Sequence, residues 1–274
     1  MRIFSISLIF LMFFSCAYTD KDNIKSKSEI TLLSEKVNDN PNDIIPLLNR
    51  AKYNLTKNKY ESALFDLKQC ILIDSSNNEC NYLAAFSYFE ISKYDKTKTD
   101  YGKYALECIK TSINYDKNNY LAYALYGEIN IAFARYHEAI EMFNKSLLIE
   151  YNQDKVHHLL GYAFKKLGQF EASINCFQNS INVNPDFIEP YIEMGLIYQS
   201  KNDTLATTFY KNALKIDSSN TIVLYNLALY YQNNLLYNEA LSTYNDLLTY
   251  DSFNANTHYN CLLYTSDAAD DLVG

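Results

Sequence analysis

An all-α solenoid of stacked antiparallel helix pairs is the fold this 274-residue sequence predicts, on three observations. The chain has only 6 Gly and 4 Pro, so long stretches lack backbone breakers and a turn-rich β fold is disfavoured. Gly127, Gly161 and Gly195 recur every 34 residues, and Ala51 and Ala85 show the same spacing. A second small residue follows twelve later: Ala63 after Ala51, Ala139 after Gly127, Ser173 after Gly161 and Ala240 after Ala228. Hydrophobic residues at 48% and charged residues at 20% exclude a disordered chain. A net charge of −8 gives no general attraction to phosphate backbones, so nucleic acid is not an expected partner.

Residues 1–16 stand apart from the fold. Met1-Arg2 gives a basic start, and Ile3 to Phe14 is an apolar run shorter than the ~20 residues a spanning helix takes. Small Ser15 follows, completing the pattern of a secretory signal peptide. Phe13-Phe14-Ser15-Cys16 resembles the bacterial lipobox, with Phe13 in place of the usual Leu. The resemblance implies lipidation at Cys16; an ordinary cleaved signal with an incidental Cys is the alternative. Residues 17–27 are mostly polar and charged and read as a flexible tether.

The array is expected over 28–260. A capping helix at Ser28 to Val37 precedes six copies: 44–77, 78–119, 120–153, 154–187, 188–220 and 221–254. Each reads as two amphipathic helices and a short turn, as in Tyr120 to Phe133 followed by His137 to Ile149. Two helix axes approach closely only where side chains are small. Gly127 and Ala139 supply that closeness within a hairpin, and Ser146 toward the next. Tyr136, at the turn, and Phe143 fill the remaining space, with Phe170 and Phe177, then Tyr237 and Tyr244, in the same columns. Lys166-Leu167-Gly168-Gln169 forms a turn, and Pro185 falls where a helix should stop. Copy two is eight residues too long, and the excess at Asp95 to Gly102 reads as a long exposed turn; copy five is one short near Asn202 to Leu205.

These offsets resemble the tetratricopeptide repeat (TPR), most cleanly at Asp154 to Phe187, with Gly161, Phe164, Gly168, Phe170, Phe177 and Pro185 in the family's places. The resemblance covers roughly 44 to 254 and implies a right-handed superhelix with a concave face. The family's Trp is replaced by Leu47, Asn81, Tyr123, His157, Tyr191 and Leu224. A seventh copy opens at Ala255, but Cys261 to Asp271 resembles a translated sequencing adaptor, so 261–274 is expected to be an artefactual tail; natural variation is the alternative.

No catalytic or metal constellation emerges. There is no Gly-x-Ser-x-Gly elbow, no phosphate loop and no Cys-x-x-Cys pair, so no enzyme, cofactor, metal or small-molecule substrate is expected. His157 and His158 are adjacent, about 100° apart on a helix, and cannot chelate one ion well. The cysteines are expected as separate buried thiols, with a Cys70–Cys80 disulfide as the alternative. What remains is the concave face, formed by first helices. Its expected partner-binding residues are Lys155, His158, Tyr162, Lys165 and Lys166 in copy four, Tyr82, Phe86 and Phe89 in copy two, and Tyr225 in copy six. Basic side chains among rings suit an acidic or C-terminal peptide segment of another protein; a solvated face with packing rings is the plainer alternative. The expected function is a non-catalytic interaction scaffold at the bacterial cell envelope, an exported outer-membrane lipoprotein held to the membrane by its N-terminal lipid anchor and facing periplasm or surface. The alternative is a docking or sensor region of a larger enzyme or signalling protein.

Overall fold

The computed structural model describes residues 28–95 and 97–270, with side chains to Leu262. The expected signal, Cys16 and the tether lie outside the described residues. Fourteen helices and no strand occur among them. The first is α1 (Glu29–Asp39), the expected cap. Six hairpins follow: α2 (Ile44–Thr56) with α3 (Tyr60–Ile73), α4 (Asn78–Tyr94) with α5 (Tyr101–Tyr115), and α6 (Tyr120–Ala132) with α7 (Tyr136–Ile149). The rest are α8 (Asp154–Lys166) with α9 (Phe170–Val183), α10 (Ile188–Ser200) with α11 (Leu205–Ile216), and α12 (Thr221–Asn233) with α13 (Tyr237–Tyr250). The backbone of α14 (Ala255–Asp270) runs on through the segment expected to be a foreign tail.

Each helix packs on the next along the chain. Among more distant neighbours, the closest approaches are between first helices: α4 with α6, α6 with α8, and α10 with α12. First helices therefore occupy the inside of the bend.

The small residues act as their spacing predicts. A Cβ placed on Gly127 would stand 2.4 Å from a Phe143 ring carbon, on Gly161 2.7 Å from Phe177, and on Gly195 2.4 Å from Tyr210. These three rings are fully buried, each against the bare backbone of its own hairpin's first helix. In copies one and two the same pairs of places hold Ala51 with Leu67 and Ala85 with Ile109, all buried.

Ser146 serves two hairpins. Its hydroxyl donates to the Tyr120 carbonyl at 2.9 Å, closing its own hairpin, and it meets Gln153 at the entry to α8. Ser180 does the same to Asp154 O and Ser112 to Asn78 O, both at 2.8 Å. A buried hydroxyl needs an acceptor, and the carbonyl of the first helix's first residue has a second lone pair to offer it.

Copy two differs from expectation. The excess is not all exposed turn: α4 extends to Tyr94, α5 starts at Tyr101, and Gly102 is buried under Phe133. Elsewhere the two helices of a hairpin join through one left-handed residue at the fifteenth place of the copy, namely Asn58, Ala134, Gly168, Asn202 and Leu235. Cys70 and Cys80 are both buried and free, with Cys70 Sγ 3.9 Å from the Ile44 carbonyl.

A trough of interleaved charges on the first helices

The inner face gathers side chains from successive first helices. Glu128 on α6 sits between cations of both neighbours, Lys93 on α4 and Lys155 on α8, with Glu90 also close. Burial pushes the Glu128 carboxyl up from its ordinary range; Lys93 and Lys155 oppose the shift and Glu90 adds to it. Tyr82 on α4 is raised too, by burial first and by the Glu128 charge second. Lys165 on α8 forms an ion pair with Glu193 on α10.

His158, the next ring along α8, lies 5.6 Å from Phe177 and 5.4 Å from Phe187, centroid to centroid. Its Nε2 is buried without a hydrogen-bond partner. Burial lowers its pKa, against the pull of Glu193 and Glu189. His157 fills the core-aromatic place of its copy: it is 2% exposed, and its Nε2 meets Tyr151 O at 3.0 Å.

The residues singled out in the sequence fall into three groups. Lys155, His158, Tyr162, Lys165 and Lys166 are brought together on α8, with Lys166 Nζ 5.1 Å from the Tyr162 ring centroid. Tyr82 joins them through Glu128. Phe86 is half-buried, edge-on to Tyr60 at 6.1 Å, while Phe89 is buried at 6% with Lys93 Nζ 4.6 Å over its ring. Tyr225 stands apart in copy six, packed 6.2 Å from Tyr244. Sequence reasoning missed the carboxylates. The expected basic patch is interleaved with Glu128, Glu189 and Glu193 from other copies, so Lys165 is already neutralised. The ring and Lys columns drew attention; Glu128 stands in the same face-forming place of copy three as Tyr162 does in copy four and could have been found that way.

No group of three or more His, Cys, Asp or Glu converges as a metal set among the described residues. No helix there is long and apolar enough to cross a membrane.

Comparison with known proteins bears on the fold. A family model described as TPR repeat matches residues 161–202. BBSome complex member BBS4 of Bos taurus is 29% identical over 126 residues, 46% of this chain and 23% of that relative. The chain thus spans about a quarter of that relative's length. Two solved structures share the fold. The C-terminal part of a TPR repeat-containing protein from Cytophaga hutchinsonii superposes with TM-score 0.67 at 15% identity, over 84% of this chain and 92% of that one. PilF of Pseudomonas aeruginosa does so with TM-score 0.64 at 16% identity, over 82% and 97%. The fold is a solenoid of the TPR type.

Proposed function

We propose that this chain is a non-catalytic scaffold that captures an extended segment of a partner protein along its first-helix face. The observation that carries the reading is the row of half-buried rings and opposed charges running across α4, α6, α8 and α10, from Tyr82 through Glu128 and Lys155 to Lys165 and Glu193. A surface of alternating sign recognises a complementary pattern rather than bulk charge, which favours specificity over affinity. The match to a protein named as a member of a complex supports the same reading. The trough is tested by Lys155→Glu, made with Leu148→Glu on the far face as control. Loss of the captured partner with the first variant and retention with the second supports the trough; the reverse pattern rejects it.

We further place this scaffold at the bacterial cell envelope, anchored through Cys16. A diacylated, N-acylated Cys holds a protein stably where one acyl chain is marginal. Membrane fractionation of Cys16→Ala decides this, with release into the soluble fraction expected and unchanged retention contradicting the anchor. A second reading, a docking region within a larger protein, is favoured by the length of BBS4, of which only 23% is matched. The full genomic reading frame decides between them.

A further inference from the structure

A cavity of about 270 Å³ opens where α5, α6 and α7 meet, lined by Lys110, Lys117, Tyr123, Tyr126, Met142 and Lys145 among others. It draws on two copies. Lys110 comes from α5, Lys117 from the turn after it, the two tyrosines from α6, and Met142 and Lys145 from α7. Tyr126 and Glu128 are two residues apart, about 200° around a helix axis. The cavity therefore lies on the face of α6 opposite the trough, between two second helices.

Its charge is one-sided. No Asp or Glu lines it, in a chain of net charge −8. Lys145 is matched by Glu141 at 2.6 Å. Lys110 and Lys117, both exposed, make no ion pair, hydrogen bond or ring contact among the described residues. Glu107, a turn before Lys110 on α5, forms no ion pair with it. Asp116, beside Lys117, accepts instead from Asn78 Nδ2 and the Asn118 amide, both at 3.0 Å.

The uncharged walls are also unoccupied. Met142 is buried, and Tyr123 and Tyr126 are half-buried. Neither tyrosine hydroxyl has a hydrogen-bond partner among the described residues, and no ring or cation there lies over either phenol.

We propose that this cavity binds a phosphate monoester carried on a flat ring. Such an ester bears a charge of about −1.5 to −2 at neutral pH, which two uncompensated ammoniums match. Lysine binds phosphate as a point charge and needs no fixed fork geometry to do so. The two free phenols add donors, and their faces, together with Met142, suit a ring. A carboxylate would leave one of the two lysines unmatched. The site does not depend on the trough, from which it is separated by the thickness of α6.

Calorimetric titration of phenyl phosphate into the full chain is the test, with benzoate and inorganic phosphate compared at the same salt. Phenyl phosphate is expected to bind with a Kd of about 1 mM or tighter. Benzoate, with one charge, and inorganic phosphate, with no ring, should each bind about fivefold more weakly or worse. Lys110→Gln and Lys117→Gln should each weaken phenyl phosphate about fivefold, while Lys36→Gln, at an exposed lysine on α1, should leave it unchanged. No binding of phenyl phosphate, equal binding of benzoate or inorganic phosphate, or an equal loss from Lys36→Gln overturns the proposal. A pentapeptide with phosphotyrosine between Gly-Ser and Ser-Gly separates the sources of the ester. Tighter binding than phenyl phosphate assigns it to a protein chain and weaker binding to a free small molecule, and either result supports the site.

Discussion

Gly161→Ala tests the packing logic at one atom. The new Cβ would stand 2.7 and 2.8 Å from two Phe177 ring carbons and 3.1 Å from Ser173 O. The ring is fully buried and the Ser173 oxygen is backbone, so neither can swing into solvent. Overpacking of this kind costs about 1–3 kcal/mol. The better helix propensity of Ala returns up to about 1 kcal/mol. A net loss of about 1–2 kcal/mol is expected, which for an array of this size lowers Tm by about 2–8 °C. Copy one shows the relief, since Ala51 shares its core with Leu67. Gly161→Ala should therefore cost less in a Phe177→Leu background, with a coupling of about 1 kcal/mol. Urea melts of the two single variants and the double variant measure this. A stabilised Gly161→Ala variant, or strictly additive losses, would refute the reasoning.

Other perturbations have expected outcomes as definite. Leu235 and Ala134 hold left-handed backbone at φ 59° and 55°, where a side chain costs about 1–2 kcal/mol, so Leu235→Gly should raise the urea midpoint; a lowered midpoint contradicts the strain. Arg50 makes two bonds, at 2.7 and 2.8 Å, to Asp66, which is 1% exposed, so Arg50→Met should cost about 3 kcal/mol by leaving a buried carboxylate unpaired; a loss under about 1 kcal/mol contradicts this. His157 and His158 are both lowered by burial, so the unfolded chain takes up protons first. Their contribution is complete above about pH 6.5 and fades as pH falls toward their folded values. Glu128, raised by burial, acts with the opposite sign, its share of the stability growing as pH falls through its raised value. Between pH 7.5 and 5.5 Tm should fall, and His158→Gln should flatten that slope; an equal slope would contradict the burial account.

The hairpins were legible in the sequence because their determinants are local. A small residue every 34 positions and rings in fixed columns place each helix within a residue or two, as with α6 and α7. Chain reversal was legible only where Gly168 marks it. Asn58 and Asn202 tolerate the same backbone angle, and Ala134 and Leu235 adopt it because the flanking helices demand it. Gly102 was misread as part of a turn, since its small size serves Phe133 from the following first helix. The charge pattern of the trough was illegible for a related reason. Lys165 and Glu193 are 28 residues apart, and Glu128 meets cations from both adjoining first helices. Stacking sets those pairings, and single helices read one at a time give no sign of them.

Recognition along the inner face is tested most directly by photo-crosslinking from each side of the array. A benzophenone amino acid replaces Tyr162 on α8 in one preparation and Leu148, 87% exposed on α7, in another. The account predicts partner adducts from position 162 and none from 148. Adducts from 148 with none from 162 would place the partner on the outer, second-helix face and contradict it.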